Sequence, residues 1–268
     1  MDVGATAPSC PVVLKLGGRA LEREGAWAEL ATALRAHHEG IVLVHGGGAE
    51  VSAWSRRLGL SPAFVDGRRV TDTATLEVAV AVLAGLANKR IVAALRAQGI
   101  DAVGLAALDG GLVDTQRHEH SDQLGEVGQI TGISPALLDT MLAQGRVPVL
   151  ASIGAREGQL LNLNADDLAS AVAVALRARA LVLLSDVPGL TLNGSVVSTL
   201  STEDAAVALL GAAVTGGMRP KLEAARLAIE GGVPSVHLGA WTGASTLVEL
   251  LRGAGAGTTL VPVKADDV

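Results

Sequence analysis

Tyrosine is absent from this 268-residue chain, which has one phenylalanine and three tryptophans. So few aromatic faces argue against a surface on which bases stack, as single-stranded nucleic-acid binders use. No long lysine or arginine run occurs and the net charge is −6, so no nucleic-acid partner is expected. An anionic ligand must then be met by a local positive cluster and not by a global field. Cysteine is nearly missing as well. Cys10 alone forms neither a disulfide framework nor a thiolate metal cluster within one chain, which fits a reducing, cytoplasmic setting. The start of the chain lacks the charged segment and apolar run of a signal peptide. Uninterrupted apolar stretches fall short of the roughly 18 to 20 residues that span a bilayer. Residues 168–176 come nearest, but they contain Ser170 and end at Arg177, so a soluble protein with no membrane partner is expected.

What the chain does hold is alanine, valine, leucine and glycine. Hydrophobic residues make up 49%, and the length suits one large α/β domain or two small ones. Residues 1–10 read as a loose tail. Val12-Val13-Leu14 then resembles a buried strand, interrupted by Lys15 and followed by Gly17 and Gly18. A cation placed there needs an anion to face. Adjacent glycines let the backbone approach that anion, because no Cβ intervenes. A helix pattern over 21–38 follows, so strand, glycine turn and helix build a phosphate cradle. The unit recurs at once: Ile41-Val42-Leu43-Val44 runs into His45-Gly46-Gly47-Gly48 and a second helix pattern. Such alternation predicts a parallel sheet with helices on both faces and ligands at its carboxyl edge.

Further along, 64–71 reads as a loop or hairpin, and Thr71 or Asp72 caps a long apolar helix over 74–98. Helices are also expected at 133–144, 167–177, 205–210 and 222–230, with a polar turn at 160–166. Strands are expected at 147–150, 180–184, 235–238 and 258–261. Gly253-Ala254-Gly255-Ala256-Gly257 reads as a flexible loop.

Common nucleotide motifs are missing. Neither Gly-x4-Gly-Lys-Ser/Thr nor Gly-x-Gly-x-x-Gly follows a first strand. Four segments remain: Lys15 with Gly17 and Gly18, the triple glycine 46–48, Asn162-x-Asn164-x-Asp166, and Gly216-Gly217-Met218-Arg219-Pro220-Lys221. Taken singly, each also fits a tight turn, a helix cap or a solvated lysine. Together they place two lysines, an aspartate and glycine-rich backbone at strand ends and helix starts. Phosphoryl transfer asks for positioning and charge stabilisation, so these parts indicate a phosphotransferase without a P-loop.

Those four segments, with Gly67-Arg68-Arg69-Val70-Thr71-Asp72, stand in an order and spacing that resembles the acetylglutamate kinases of the amino acid kinase family. Leu76-Glu77-Val78, Asn88-Lys89, Gly104-Leu105 with Asp109-Gly110-Gly111, and Ser185-Asp186-Val187-Pro188-Gly189-Leu190 add to the likeness, which covers 11–262. The resemblance implies an α/β three-layer sandwich with an open, mainly parallel sheet. It implies a single domain over 11–262, with an amino-acid lobe at about 11–175 and an ATP lobe at about 176–262. It also implies transfer of the ATP γ-phosphoryl group to the side-chain carboxylate of N-acetyl-L-glutamate, in arginine biosynthesis.

Carried over by resemblance, Lys15 and Lys221 stabilise the transferring group and Asp166 orients them. Gly47, Gly48, Arg69 and Asn162 hold the acyl-amino acid. Gly17, Gly18, Gly48, Ser185, Asp186, Gly216, Gly217 and Met218 serve ATP and its phosphates. Mg2+ rides on the phosphates with no protein ligand. The helix over 74–98 resembles the family's dimer contact, so a homodimer is expected. Ala49-Glu50 departs from the usual proline after the triple glycine, which keeps a kinase of carrier-linked aminoadipate in lysine biosynthesis as the alternative. The short N-terminus departs from members inhibited by arginine, so insensitivity to arginine is expected. A non-catalytic sensor on the same fold is the rival class; it would not need Lys15, Asp166 and Lys221.

Overall fold

A computed structural model describes residues 10–17, 25–36, 40–192, 194–211, 214, 216–252 and 257–263. Eight strands form its main sheet: Val12–Leu16 (β1), Ile41–His45 (β2), Ala102–Ala106 (β3), Val147–Ala151 (β4), Ala180–Ser185 (β5), Thr199–Ser201 (β6), Val236–Ala240 (β7) and Gly257–Val261 (β8). Their order is β6-β8-β7-β5-β1-β2-β4-β3. The strands from β7 to β3 run parallel, while the edge pair β8 and β6 is reversed. β1 is central, and Lys15 sits in register between Val44 and Leu183. Near-continuous Val and Leu in these strands is what a sheet covered on both faces demands.

The longer helices are Ala26–Arg35 (α1), Gly48–Arg57 (α2), Thr73–Ala97 (α3), Ala136–Ala143 (α4), Ala165–Ala175 (α5), Thr202–Leu210 (α6), Met218–Glu230 (α7) and Thr246–Leu251 (α8). Strand alternation sorts them into two layers. Val12, Leu14, Leu43 and Leu184 pack with α1, α8 and the end of α3. Val13, Val44, Leu181 and Leu183 pack with α4, α5, α6 and α7. Side-chain caps mark the helix entries. Asp72 accepts from the Thr75 N–H at 2.8 Å and Ser201 from the Asp204 N–H at 3.0 Å.

Some expected boundaries move. The helix expected over 21–38 is described only at Ala26–Arg35; Gly18 and the tail before Cys10 lie outside the described residues. α4 starts at Ala136, because Ile133 closes the strand Gly128–Ile133. The turn read at 160–166 is divided. Asn162 ends the strand Gln159–Asn162, Asn164 is a cap and Ala165 is already helical. α7 opens at Met218 and not at Leu222; Pro220 fits in a first turn, where a backbone N–H has no helical partner. Of the glycine loop near 255, only Gly257 is described, and it opens β8.

α3 holds a π-helical turn at Ala81–Ala87 that periodicity does not reveal. The helix is long and apolar enough to cross a bilayer by length and composition, which the run at 168–176 is not. Yet it buries Val78, Val82, Leu83, Ile91 and Leu95 inside the fold.

Candidate active site

Lys15 follows Val13 in the strand alternation, so its side chain leaves β1 on the face of α5 and α7. Asn164 caps α5, its Oδ1 accepting from the N–H groups of Asp166 (2.8 Å) and Asp167 (3.1 Å). That cap sets Asp166 in the first turn, under Lys15. Lys221 arrives from the first turn of α7. Both ammonium groups reach one oxygen: Lys15 Nζ lies 2.8 Å and Lys221 Nζ 3.0 Å from Asp166 Oδ1. All three residues are buried. Two positive charges against one negative leave a buried surplus that only an anion can neutralise. Burial alone would push the Asp166 carboxyl up, but the two ammonium groups outweigh it and hold the pKa at about 2. Burial also pushes Lys15 below its ordinary value; Asp166 opposes that and Lys221 adds to it.

Gly17 serves this cluster by lacking a side chain. Its N–H donates to the Leu184 carbonyl at 2.9 Å, so that donor is already engaged. A Cβ there would lie 2.7 Å from Leu184 O and 2.9 Å from Lys15 Nζ. Gly17→Ala is therefore expected to displace the Lys15 ammonium and lower kcat by about tenfold or more. Steady-state rates alongside a melting curve would check this; an unchanged kcat would refute it.

The triple glycine leads from β2 into α2. His45 is buried beneath it. Asn88 Nδ2 donates to His45 Nε2 at 3.1 Å, so the proton sits on Nδ1, which donates to the Gly46 carbonyl at 3.0 Å. Burial lowers the His45 pKa, against the pull of that carbonyl, and keeps the ring neutral. The π-turn of α3 brings Leu83 against Gly47, where a Cβ would lie 2.6 Å from Leu83 Cδ2. Gly48 opens α2 with no side-chain cap, leaving first-turn N–H groups for an anion.

Arg69 lies on the hairpin Phe64–Val65/Arg68–Arg69. Its Nη2 donates to Gly48 O at 2.7 Å and Ser52 Oγ at 2.8 Å, and its guanidinium stacks 4.8 Å from the Phe64 ring centre. Nη1 is buried without a partner. A buried guanidinium with an unmet donor costs free energy until an acceptor arrives. Asn162 Nδ2 donates to Thr71 Oγ1 at 3.0 Å.

Lys15, the three glycines, Arg69, Asn162 and Asp166 line one cleft of about 200 Å3. Gly17 and Lys221 are not among its lining residues. Ser185, Asp186, Gly216, Gly217 and Met218 do not line it. They lie at the carboxyl end of β5 and around the start of α7. Ser185 Oγ bonds within its own turn, accepting from the Val187 N–H at 3.3 Å. Gly216 has φ +57°, a left-handed conformation that glycine adopts freely. Sequence reasoning missed Ser152, a buried residue lining the cleft. It stands directly after β4, so the rule that ligands meet the carboxyl ends of strands would have found it. The support Ser52 carried no sequence signal, and Thr71, read as a candidate helix cap, leaves that place to Asp72 and accepts from Asn162 instead.

The model of the amino acid kinase family matches residues 11–239, and the chain belongs to that family. Its curated relatives include proteins named acetylglutamate kinase. That of Methanopyrus kandleri is 46% identical over 230 residues, 82% of this chain and 91% of the relative. That of Symbiobacterium thermophilum is 40% identical over 270 residues, covering 93% and 91% of the two chains. Among solved structures, the Streptococcus mutans protein smu.665 superposes with a TM-score of 0.82 at 29% identity, over 94% of this chain and 98% of that one. A Giardia carbamate kinase, at 16% identity and a TM-score of 0.69 over 96% and 100% of the chains, shows the shared fold alone.

Proposed function

We infer that the protein is a phosphotransferase that moves the γ-phosphoryl group of ATP to the side-chain carboxylate of N-acetyl-L-glutamate, as in arginine biosynthesis. The observation that carries this is the cleft itself. It is lined by Lys15 and Asp166, whose Oδ1 also takes the Lys221 ammonium. Its wall holds a buried guanidinium with one unmet donor. A substrate carrying a carboxylate for Arg69 and a second carboxylate to be phosphorylated beside Lys15 supplies both missing anions. Curated relatives named for this activity support the assignment.

In this reading Arg69 Nη1 and Asn162 take the α-carboxylate, while Gly47 and Gly48 border the acyl-amino acid. A side-chain carboxylate oxygen attacks the γ-phosphorus while the bond to the β,γ-bridging oxygen breaks and ADP leaves, giving the acyl phosphate. Lys15 and Lys221 neutralise charge on the transferring group from opposite sides, held by Asp166. Gly17, Gly18 and Gly48 let phosphate oxygens approach. Ser185, Asp186, Gly216, Gly217 and Met218 form the nucleotide side, so 11–175 is the amino-acid lobe and 176–262 the ATP lobe. Mg2+ would enter on the nucleotide and offset phosphate charge, since Asp166 Oδ1 is engaged by both lysines. Along α3, Ala81 and Gly85 are exposed beside half-buried Leu76, Val80 and Leu86, a seam suited to a homodimer. The setting is cytoplasmic. Glu50 has a structural partner, pairing with Arg90 of α3 at 2.6 Å, which accounts for it without a different substrate.

Hydroxylamine trapping of the acyl phosphate tests the reading, with N-acetylglutamate beside N-acetylaspartate, free glutamate and a carrier-linked aminoadipate. Turnover of N-acetylglutamate alone is expected. Turnover only of the carrier-linked substrate would move the protein to lysine biosynthesis, and none at all would restore the sensor. Arg69→Lys should raise the KM for N-acetylglutamate about tenfold or more, because a point charge cannot replace the fork. A change confined to the KM for ATP would refute the Arg69 assignment.

A further inference from the structure

We propose that Arg68 is a positioning residue that makes the acyl-amino acid site and the phosphoryl site order together, so that each ligand binds more tightly in the other's presence. The proposal rests on the assignment of Arg69 to the amino acid and of Lys221 to the phosphoryl group.

The hairpin that carries Arg69 has little to hold itself. Its ladder is two residue pairs, Phe64 with Arg69 and Val65 with Arg68. Its turn places Asp66 (φ +47°) and Gly67 (φ +79°) in the left-handed region, the twist that a two-residue hairpin needs. Phe64 and Val65 are exposed, so burial of apolar surface does little to anchor it. A ladder this short is marginal without outside contacts.

Arg68 supplies such contacts. Its Nη1 lies 2.7 Å from Asp167 Oδ2 on α5, and its Nη2 4.0 Å from Glu223 Oε2 on α7. Asp167 adjoins Asp166 in the chain, and Glu223 lies on the same helix as Lys221. One guanidinium therefore ties the hairpin to both helices of the lysine–aspartate bracket. The turn itself rests on the nucleotide side. A Cβ on Gly67 would lie 2.7 Å from Gly216 O and 3.3 Å from Pro220 Cδ.

A ligand that grips Arg69 orders the hairpin. Through Arg68 and Gly67 it also orders the start of α7, where the phosphates bind. A second ligand then meets a site whose ordering is already complete, which is positive coupling and must be reciprocal. The planar fork matters, because one nitrogen bonds Asp167 while the other faces Glu223 on the second helix.

The test uses the full-length enzyme. Calorimetry gives the Kd of N-acetylglutamate alone and with a saturating non-hydrolysable ATP analogue and Mg2+. Hydrogen exchange at residues 216–221 is followed with and without N-acetylglutamate. In the wild type the analogue should tighten N-acetylglutamate about fivefold or more, and N-acetylglutamate should slow exchange at 216–221. Arg68→Gln should still bind N-acetylglutamate but bring the ratio close to one and abolish the slowed exchange. Arg68→Lys should restore part of both. An unchanged ratio in Arg68→Gln overturns the proposal, as does a wild type without coupling. A wild type that binds no N-acetylglutamate overturns the assignment of the cleft instead.

Discussion

Lys221→Ala should lower kcat by about 100-fold or more and leave the fold intact. Loss of one preorganised charge stabiliser has this scale. The fold survives because the substitution leaves no buried charge orphaned: Asp166 keeps Lys15 at 2.8 Å. The bracket then holds one positive and one negative charge, and the surplus that the proposed mechanism uses to draw charge off the transferring phosphoryl group is gone. Arg69 and Asn162 are untouched, so the KM for N-acetylglutamate should change little. A structural role for Lys221 would give the opposite pattern, a lowered melting temperature with kcat recovered on cooling. Steady-state kinetics with both substrates varied, together with thermal unfolding, separate the two. An unchanged kcat would remove Lys221 from the mechanism.

The two lysines and the aspartate were legible in the sequence as a set, since singly each also fits a turn, a cap or a solvated lysine. Lys15 interrupts a buried strand, and a helix cap explains one residue of Asn162-x-Asn164-x-Asp166 but not three. The cap proves to be Asn164, while Asp166 carries the charge and Asn162 ends a strand. The sheet was legible through its Val- and Leu-rich runs, each ending in a polar or glycine turn. What the sequence hid depends on three-dimensional register. Gly17 reads as a phosphate donor, yet its N–H belongs to Leu184. The π-turn of α3 leaves the apolar composition unchanged while it carries Leu83 to Gly47 and Asn88 to His45. Ser52 and Ser152 are small polar residues whose roles come only from where helix and strand ends meet.

Asp166→Asn should cost both stability and activity, in a way that pH can separate. Asparagine keeps the shape but leaves two buried ammonium groups without a counter-ion. Breaking a buried ion pair by removing one partner costs about 3 to 5 kcal/mol. In the wild type the carboxyl is held at about 2, below its ordinary 3.8. A depressed carboxyl contributes stability that is complete above 3.8 and is lost as the pH falls through about 2. That contribution is on the order of 2 kcal/mol. Urea unfolding between pH 5 and pH 2.5 should show this loss in the wild type and less of it in the variant. At alkaline pH the slope keeps this sign but comes from the lysines. Lys15 already lies below its ordinary value in the fold, and without Asp166 it must fall further. The unfolded variant then binds more protons than the folded one, so its stability should rise steeply as the pH increases from 7 to 9.5. Inorganic pyrophosphate, an anion able to replace the missing carboxylate charge, should raise the variant's melting temperature more than the wild type's. A variant that melts like the wild type at pH 7, with no steeper gain toward alkaline pH and no added response to pyrophosphate, would show that Asp166 is not the counter-ion of the lysine pair.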